Sequence, residues 1–358
     1  MRVYYVSSGL QGCYYVRCLL PMQANGWDGD QISIEPHQKD AEKKAWAAQN
    51  SDVIVFHRPD EPHKLELAKR LKRDYGKKIV FDNDDTFKDD GGFRVNEYMD
   101  MERMQKGLAK INDVIDEFIH DVADLVTCST DFLNTEYRAL HDNVITLPNC
   151  VDPFVYDEPL KNETKKLRIG ITGSLAITND FKLVHEITEH FRGDPRVQFV
   201  LFSLPPKGND SLIQELYSEE YKQVANMEAE WHTFVPHHEY YDKINELRLD
   251  LVIIPRADNY FNRCKSNLKF LESAMFEIPV IAQTFPDGMS PYEVNPGDRM
   301  HMLRAANTEE FIAQIEWVLA HRDDAREMGK SSRIYVEDVY DIEKNAYKWN
   351  DAYKSLWK

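Results

Sequence analysis

Short runs of β-branched and aromatic residues alternate with stretches whose apolar residues recur at helical spacing, and the alternation continues through most of the chain. In the first half the strand-like runs are Arg2–Val6, Gln31–Ile34, Val53–His57, Lys78–Phe81, Leu125–Cys128 and Val144–Leu147. Helical patterns lie between them, including Tyr14–Ala24, His63–Tyr75 and Met101–Val122. Pro148-Asn149-Cys150-Val151-Asp152-Pro153 interrupts the pattern, and a polar segment rich in Lys and Glu follows to Lys166. A second series opens with Leu167-Arg168-Ile169-Gly170-Ile171. It predicts further strands at Val197–Phe202, near His232–Val235, at Leu251–Ile254, at Val280–Ala282 and near His301–Arg304. Helices are expected from Phe181, Tyr240, Ser266 and Thr308, and the aromatic-rich tail from Val336 to Lys358 reads as helical.

This order predicts an α/β protein of two Rossmann-like, doubly wound parallel-sheet domains facing a central cleft. The boundaries fall at 1–152 and 153–335, with 336–358 a C-terminal helix packing back toward the first domain. Twin domains of this kind take ligands between them, at the carboxyl ends of the strands. Residues just after each strand are therefore the ones to search for chemistry.

Composition narrows the picture. The 358 residues suit two cores of about 150 to 180 residues each. With 42% hydrophobic and 29% charged residues the chain is a globular protein rather than a disordered one. The longest apolar runs, Leu251–Pro255 and Pro279–Ala282, fall far short of the roughly 20 residues a membrane span needs. Val3-Tyr4-Tyr5-Val6 begins with no basic region or cleavage site ahead of it, so no export is expected and the cytoplasm is the expected compartment. Cys13, Cys18, Cys128, Cys150 and Cys264 are scattered, odd in number and without a C-x-x-C pair, which argues against disulfides and a zinc site. The net charge of −17 disfavours a polyanionic partner. One stretch runs the other way: Lys64, Lys69, Arg70, Lys72, Arg73, Lys77 and Lys78 crowd a predicted helix, either as a solvated face or as a contact for an anionic acceptor or membrane surface.

The richest segment is Asn262-Arg263-Cys264-Lys265-Ser266-Asn267-Leu268-Lys269-Phe270-Leu271-Glu272, which follows the strand ending at Pro255 and leads through a helix to Pro279-Val280. Free backbone N–H groups at the helix start, near Ser266 and Asn267, would face an anion. Lys265 and Lys269 add the positive charge that a diphosphate calls for. Glu272 lies about 9 Å further along the axis than Ser266, roughly the offset from a pyrophosphate to its ribose, whose hydroxyls donate to a carboxylate.

This K-S-x-x-K-x-x-E segment resembles the donor-binding element of GT-B glycosyltransferases of the family-4 type and their bacterial and phage relatives. The resemblance implies that Glu272 binds the donor ribose and that the nearby lysines bind its diphosphate. Two positions depart from the family pattern: Cys264 stands where a second Glu is usual, and Glu277 where a glycine ends the helix. Pro148-Asn149-Cys150-Val151-Asp152 resembles the family's P-N-G-x-D interdomain signature, and Ala123–Thr130 the A-D-x-V-x-x-S strand before it. Ile169-Gly170-Ile171-Thr172-Gly173-Ser174 resembles the first strand and turn of the donor domain, where Gly173 and Ser174 would approach phosphate.

Further candidates sit at other strand ends. Gly9 and Gly12, in Ser7-Ser8-Gly9-Leu10-Gln11-Gly12, could let the backbone close on a donor phosphate or acceptor. Phe81-Asp82-Asn83-Asp84-Asp85-Thr86 clusters carboxylates; a cleft role, a turn role and metal ligation are all open. If the strand persists, Asp84 and Asp85 point to opposite faces. His57, Arg58 and Asp180 are acceptor-side candidates, and the resemblance places the nucleotide base near Phe234-Val235-Pro236.

The implied enzyme is a hexosyltransferase-like transferase that moves a sugar from a nucleotide-diphosphate donor, with UDP-sugar favoured, to a hydroxyl acceptor with retention. No cofactor or metal is required, the nucleotide-sugar being a co-substrate. Lys265 and Lys269 would stabilise the leaving diphosphate; an inverting reaction would need a base, with Asp84 or Asp85 the first suspects. The acceptor is a saccharide, a lipid-linked glycan or a modified DNA base, with the enzyme free, peripheral at the inner membrane face or in a phage-infected cell. The rivals are a phage-type DNA glycosyltransferase on hydroxymethylated bases, a nucleotide-sugar epimerase, and a catalytically silent nucleotide-binding scaffold.

Overall fold

A computed structural model describes residues 1–7, 12–27, 32–33, 49–86, 111–172, 180–202, 229–233, 235–293 and 301–358. Gly9, Gly173, Ser174 and Phe234 lie outside the described residues, as do the first ten residues of the helix expected over 101–122.

The first sheet contains β1 (Val3–Ser7), β2 (Ile32–Ser33), β3 (Val53–His57), β4 (Lys78–Asn83), β5 (Leu125–Cys128) and β6 (Val144–Thr146). Its order is β2-β1-β3-β4-β5-β6, and every pairing is parallel. Every residue of β1 and β3 is buried, which explains why these strands read as continuous apolar runs rather than alternating ones. The second sheet contains β7 (Leu167–Thr172), β8 (Val197–Phe202), β9 (Glu230–His232), β10 (Leu251–Ile254), β11 (Val280–Gln283) and β12 (Leu303–Ala305). Its order, β9-β8-β7-β10-β11-β12, is again all parallel. The strand order reverses at β1/β3 in one sheet and at β7/β10 in the other, the switch points at whose carboxyl ends open α/β sheets commonly take ligands.

The helices of the first half are α1 (12–24, π-helical over Tyr15–Leu19), α2 (Pro62–Tyr75), α3 (111–122) and α4 (Asp131–Arg138). Those of the second are α5 (Phe181–His190), α6 (His237–Glu246), α7 (Tyr260–Cys264), α8 (Leu268–Met275), α9 (Thr308–Ala320), α10 (Arg322–Val339), α11 (Ile342–Asn345) and α12 (Tyr347–Lys354). No helix among the described residues is long and apolar enough to cross a membrane.

Trp349, Ala352 and Tyr353 of α12 are buried in one cluster with Val3, Tyr5, Val53, Val55 and Val80, so the chain's last helix seals the first sheet. Val151 forms an isolated parallel bridge with Asp341. Helix α10 runs unbroken through 335/336, where the sequence pattern set a boundary; the break comes at Tyr340 and Asp341, whose carboxylate caps α11. Neither glycine nor proline marks that break.

Two further features concern charge and backbone. The basic stretch on α2 is largely neutralised within the protein. Lys64 is buried and pairs with Asp60 and Glu61, Lys69 with Glu66 and Glu117, Lys72 with Asp124, and Arg73 with Asp74. Glu277, just past α8, has φ of 55°, the left-handed conformation that glycine adopts at little cost. Helix α10 packs so closely there that a Cβ on Gly329 would lie 2.0 Å from the Glu277 carbonyl oxygen. Glu277→Gly is therefore expected to stabilise the fold by about 1 kcal/mol. Denaturant unfolding checks it; a loss would mean that the Glu277–Arg333 pair, at 4.0 Å, outweighs the backbone strain.

Candidate active site

The carboxyl edge of the first sheet is built from register. Ser7 of β1 lies opposite His57 of β3, and His57 opposite Asp82 of β4, which aligns three polar side chains at one rim. Ser7 Oγ is 3.1 Å from His57 Nδ1, and His57 Nε2 is 3.3 Å from Asp84 Oδ1. Arg58 has left-handed φ of 51° and turns its guanidinium onto both carboxylates. Its Nε donates to Asp84 at 2.8 Å and an Nη to Asp85 at 3.3 Å. Strand β4 ends at Asn83, so the alternation expected of Asp84 and Asp85 does not apply; the turn brings both to one cation.

Burial opposes the charge on Asp84, but Arg58 and the hydrogen bond from His57 outweigh it and hold the carboxyl well below the usual range. A carboxyl depressed in the folded state stabilises above its unfolded pKa, and that contribution is lost as pH falls through the folded value. Asp84→Asn should therefore cost stability at neutral pH and flatten the fall in Tm below about pH 4. Tm measured from pH 3 to 7 tests this, and parallel curves would contradict it.

Asp82, on the same face by register, engages Arg17 and Thr127 instead. It receives Arg17 Nε at 3.2 Å, Arg17 Nη at 2.6 Å and Thr127 Oγ1 at 2.7 Å. Arg17 also donates to the Leu147 carbonyl and, at 3.2 Å, to Asn149 Oδ1; Asn149 Nδ2 donates to Ser266 Oγ at 2.9 Å. A buried polar chain thus runs from the first sheet to the start of the Lys/Glu helix.

On the second sheet, β10 delivers Arg256 and Ala257 to the rim. Asp180 fixes this turn, accepting from Arg256 at 2.7 Å, the Ala257 N–H at 2.7 Å and Asn262 Nδ2 at 2.8 Å. It is fully buried, and these three bonds lie within the second domain, so its observed work is to pin the turn rather than face the first sheet. Asn262 is held by the same clamp and donates to the Ala257 carbonyl at 2.8 Å. Helix α7, absent from the sequence-based pattern, starts on an Asn259 cap and docks Tyr260 against α4, with its hydroxyl 2.8 Å from Glu136.

Cys264 closes α7 and lies in the same apolar cluster as Phe81, Leu133 and Tyr137 of the first domain. Burial raises its thiol far above the ordinary value, so this position is neutral packing rather than an acid. Next to it Lys265 crosses the cleft: its ammonium is 2.6 Å from Asp85 Oδ2 and 3.9 Å from the Phe261 ring centre. Asn267 precedes α8 and donates to Tyr340 at 3.2 Å. The N–H groups of Leu268 and Lys269 open the helix without intrahelical partners.

Lys269 is the free cation of the group: its ammonium makes no hydrogen bond or ion pair among the described residues. Burial lowers its pKa, and Arg256 and Lys265 push the same way against Glu272. Glu272, one turn on, is buried and receives the Tyr240 hydroxyl at 3.3 Å on Oε2. Across the cleft, Gly12 opens α1 opposite His237, whose ring centre lies 4.6 Å from that of Tyr15.

The structure thus brings His57, Arg58, Asp84, Asp85 and Lys265 into one network, with Lys269 and Glu272 beside it on α8. Arg17, Tyr240 and Arg256 were not among the residues singled out in the sequence. Position after a strand could have found Arg256; nothing local marks Arg17 or Tyr240.

No protein-family model matches the sequence, and no curated protein matches it. Solved structures do. Over 99% of this chain and 100% of the other, Anabaena HepE in complex with UDP-glucose superposes with TM-score 0.66 at 11% identity. Sucrose-phosphate synthase from Thermosynechococcus elongatus gives 0.67 at 14% identity over 100% and 99% of the two chains. A glycosyltransferase from Rickettsia africae gives 0.65 at 11% identity over 100% and 98%. Two parallel α/β domains, superposing over their full length on these proteins, give the chain the GT-B fold.

Proposed function

We propose that the protein is a glycosyltransferase that transfers a sugar from a nucleoside-diphosphate donor, a UDP-sugar in first preference, to a hydroxyl acceptor with retention. The observation that carries this is the start of α8. There a cation and two helix N–H groups, without ion-pair or hydrogen-bond partners among the described residues, stand at the helix start that follows β10, with the buried Glu272 carboxylate one turn on and within electrostatic reach of Lys269. The HepE structures hold UDP-glucose, UDP, and UDP with glucose, in the same fold.

Lys269 and the helix amides would take the leaving diphosphate, its charge growing as the glycosidic bond breaks. Glu272 would hold the ribose. The acceptor proton would pass to a donor phosphate oxygen on the same face, so Asp84 and Asp85, already engaged by Arg58, need not act as bases. Lys265 would join the phosphate site when its bond to Asp85 opens. The neutralised α2 face lends no support to a nucleic-acid or membrane acceptor, and a saccharide hydroxyl is the acceptor favoured.

Incubation with a panel of nucleotide-sugars, with and without saccharide acceptors, tests the proposal by nucleoside-diphosphate release. Acceptor-dependent release supports it. Conversion of the sugar without any acceptor would indicate an epimerase, and binding without turnover a scaffold.

A further inference from the structure

We infer that Tyr240 is a positioning residue that fixes the Glu272 carboxylate and thereby makes the donor site select ribonucleotides over 2′-deoxyribonucleotides. This rests on the proposed nucleotide site. Tyr240 lies on α6, and its ring stacks on Phe202 at the end of β8, with centroids 5.5 Å apart and planes 22° apart. Tyr241 meets the same ring edge-on, with centroids 5.6 Å apart. The ring held in that way delivers its hydroxyl to Glu272 Oε2 at 3.3 Å. A carboxylate anchored at one oxygen cannot rotate freely about its last torsion, so Oε1 keeps a set direction. Two ribose hydroxyls need such a fixed acceptor; a deoxyribose supplies only one donor, leaving a buried acceptor partly unmet.

The charge of Glu272 depends on the same bond. Burial raises its pKa, while Lys269 and the Tyr240 hydroxyl lower it. The other titratable groups facing it are Tyr241 on α6, Tyr156 and Tyr292. Removing the Tyr240 hydroxyl should move the protonation of Glu272 to higher pH, and with it the acid limb of nucleotide binding.

Calorimetric titration of the full chain with UDP and 2′-deoxy-UDP, from pH 5 to 8, is the test. Wild type is expected to favour UDP by about tenfold, the value of one good hydrogen bond to a charged group. Tyr240→Phe should bring the two ligands near parity and shift the acid limb upward, whereas Tyr241→Phe should retain the preference. Phe202→Leu, which loosens the ring but keeps the hydroxyl, should narrow the preference in the same direction and serves if Tyr240→Phe does not fold. An undiminished preference and unmoved pH limb in Tyr240→Phe would overturn the inference with the nucleotide site intact. Wild type that binds neither ligand would instead remove the nucleotide site itself.

Discussion

Lys269→Met should lower kcat/KM for the nucleotide-sugar by about a hundredfold or more while Tm stays level or rises. The two effects have separate causes. In the substrate-free protein the ammonium has no hydrogen-bond or ion-pair partner among the described residues, so its removal breaks no such bond there. Burial and the neighbouring cations depress its pKa, which means that the folded state disfavours this charge relative to the unfolded chain. At neutral pH, well below the unfolded value, the charged lysine therefore costs stability, and replacing it with an apolar chain of similar length relieves that cost. The donor phosphate would lose a charge-assisted contact whose strength grows in the transition state. Steady-state kinetics with calorimetry checks both halves; matched losses of activity and Tm would make Lys269 a structural residue.

Arg17→Met should have the largest effect on stability, about 3–5 kcal/mol, because it strands a buried charge. Arg17 and Asp82 have side chains 0% and 2% exposed and meet at 2.6 Å. With the guanidinium gone, Asp82 keeps Thr127, while Asn149 and the Leu147 carbonyl each lose a donor. Asn149 also holds Ser266, so the damage should reach the start of α8. The double variant Arg17→Met/Asp82→Leu should recover part of the loss, since removing both partners leaves no unpaired charge. Urea unfolding of the single and double variants measures it, and additive losses would contradict it.

Much of the fold was legible because buried parallel strands are short apolar runs bounded by polar turns. Val53–His57, Leu125–Cys128, Val197–Phe202 and Leu251–Ile254 are found at the residues expected. Helix α7 escaped notice because it is one turn of mixed residues whose stability comes from Tyr260 docking on another domain. The break after Val339 escaped because it carries a side-chain cap on Asp341 rather than a glycine or proline. In the candidate site, Lys269 and Glu272 were legible through helical spacing on one element, and Lys265 through its place just ahead of that helix. Partners from other elements were not. The Lys265–Asp85 contact joins residues 180 positions apart and depends on how two sheets face each other. Separation in sequence, by 32 and 65 positions, likewise hid Tyr240 from Glu272 and Arg17 from Asp82. The directions of Asp84 and Asp85 follow from where β4 stops, which the local pattern left open.

The central claim is that a nucleoside diphosphate binds at the start of α8. A thermal-shift screen against UDP, GDP, ADP, TDP and CDP, run on wild type and on Lys265→Ala/Lys269→Ala, tests it most directly. The expected result is a rise of several degrees with UDP that the double variant loses, the size expected when ligand exceeds its Kd about a hundredfold. No shift with any of the five, or an equal shift in the double variant, would contradict the claim.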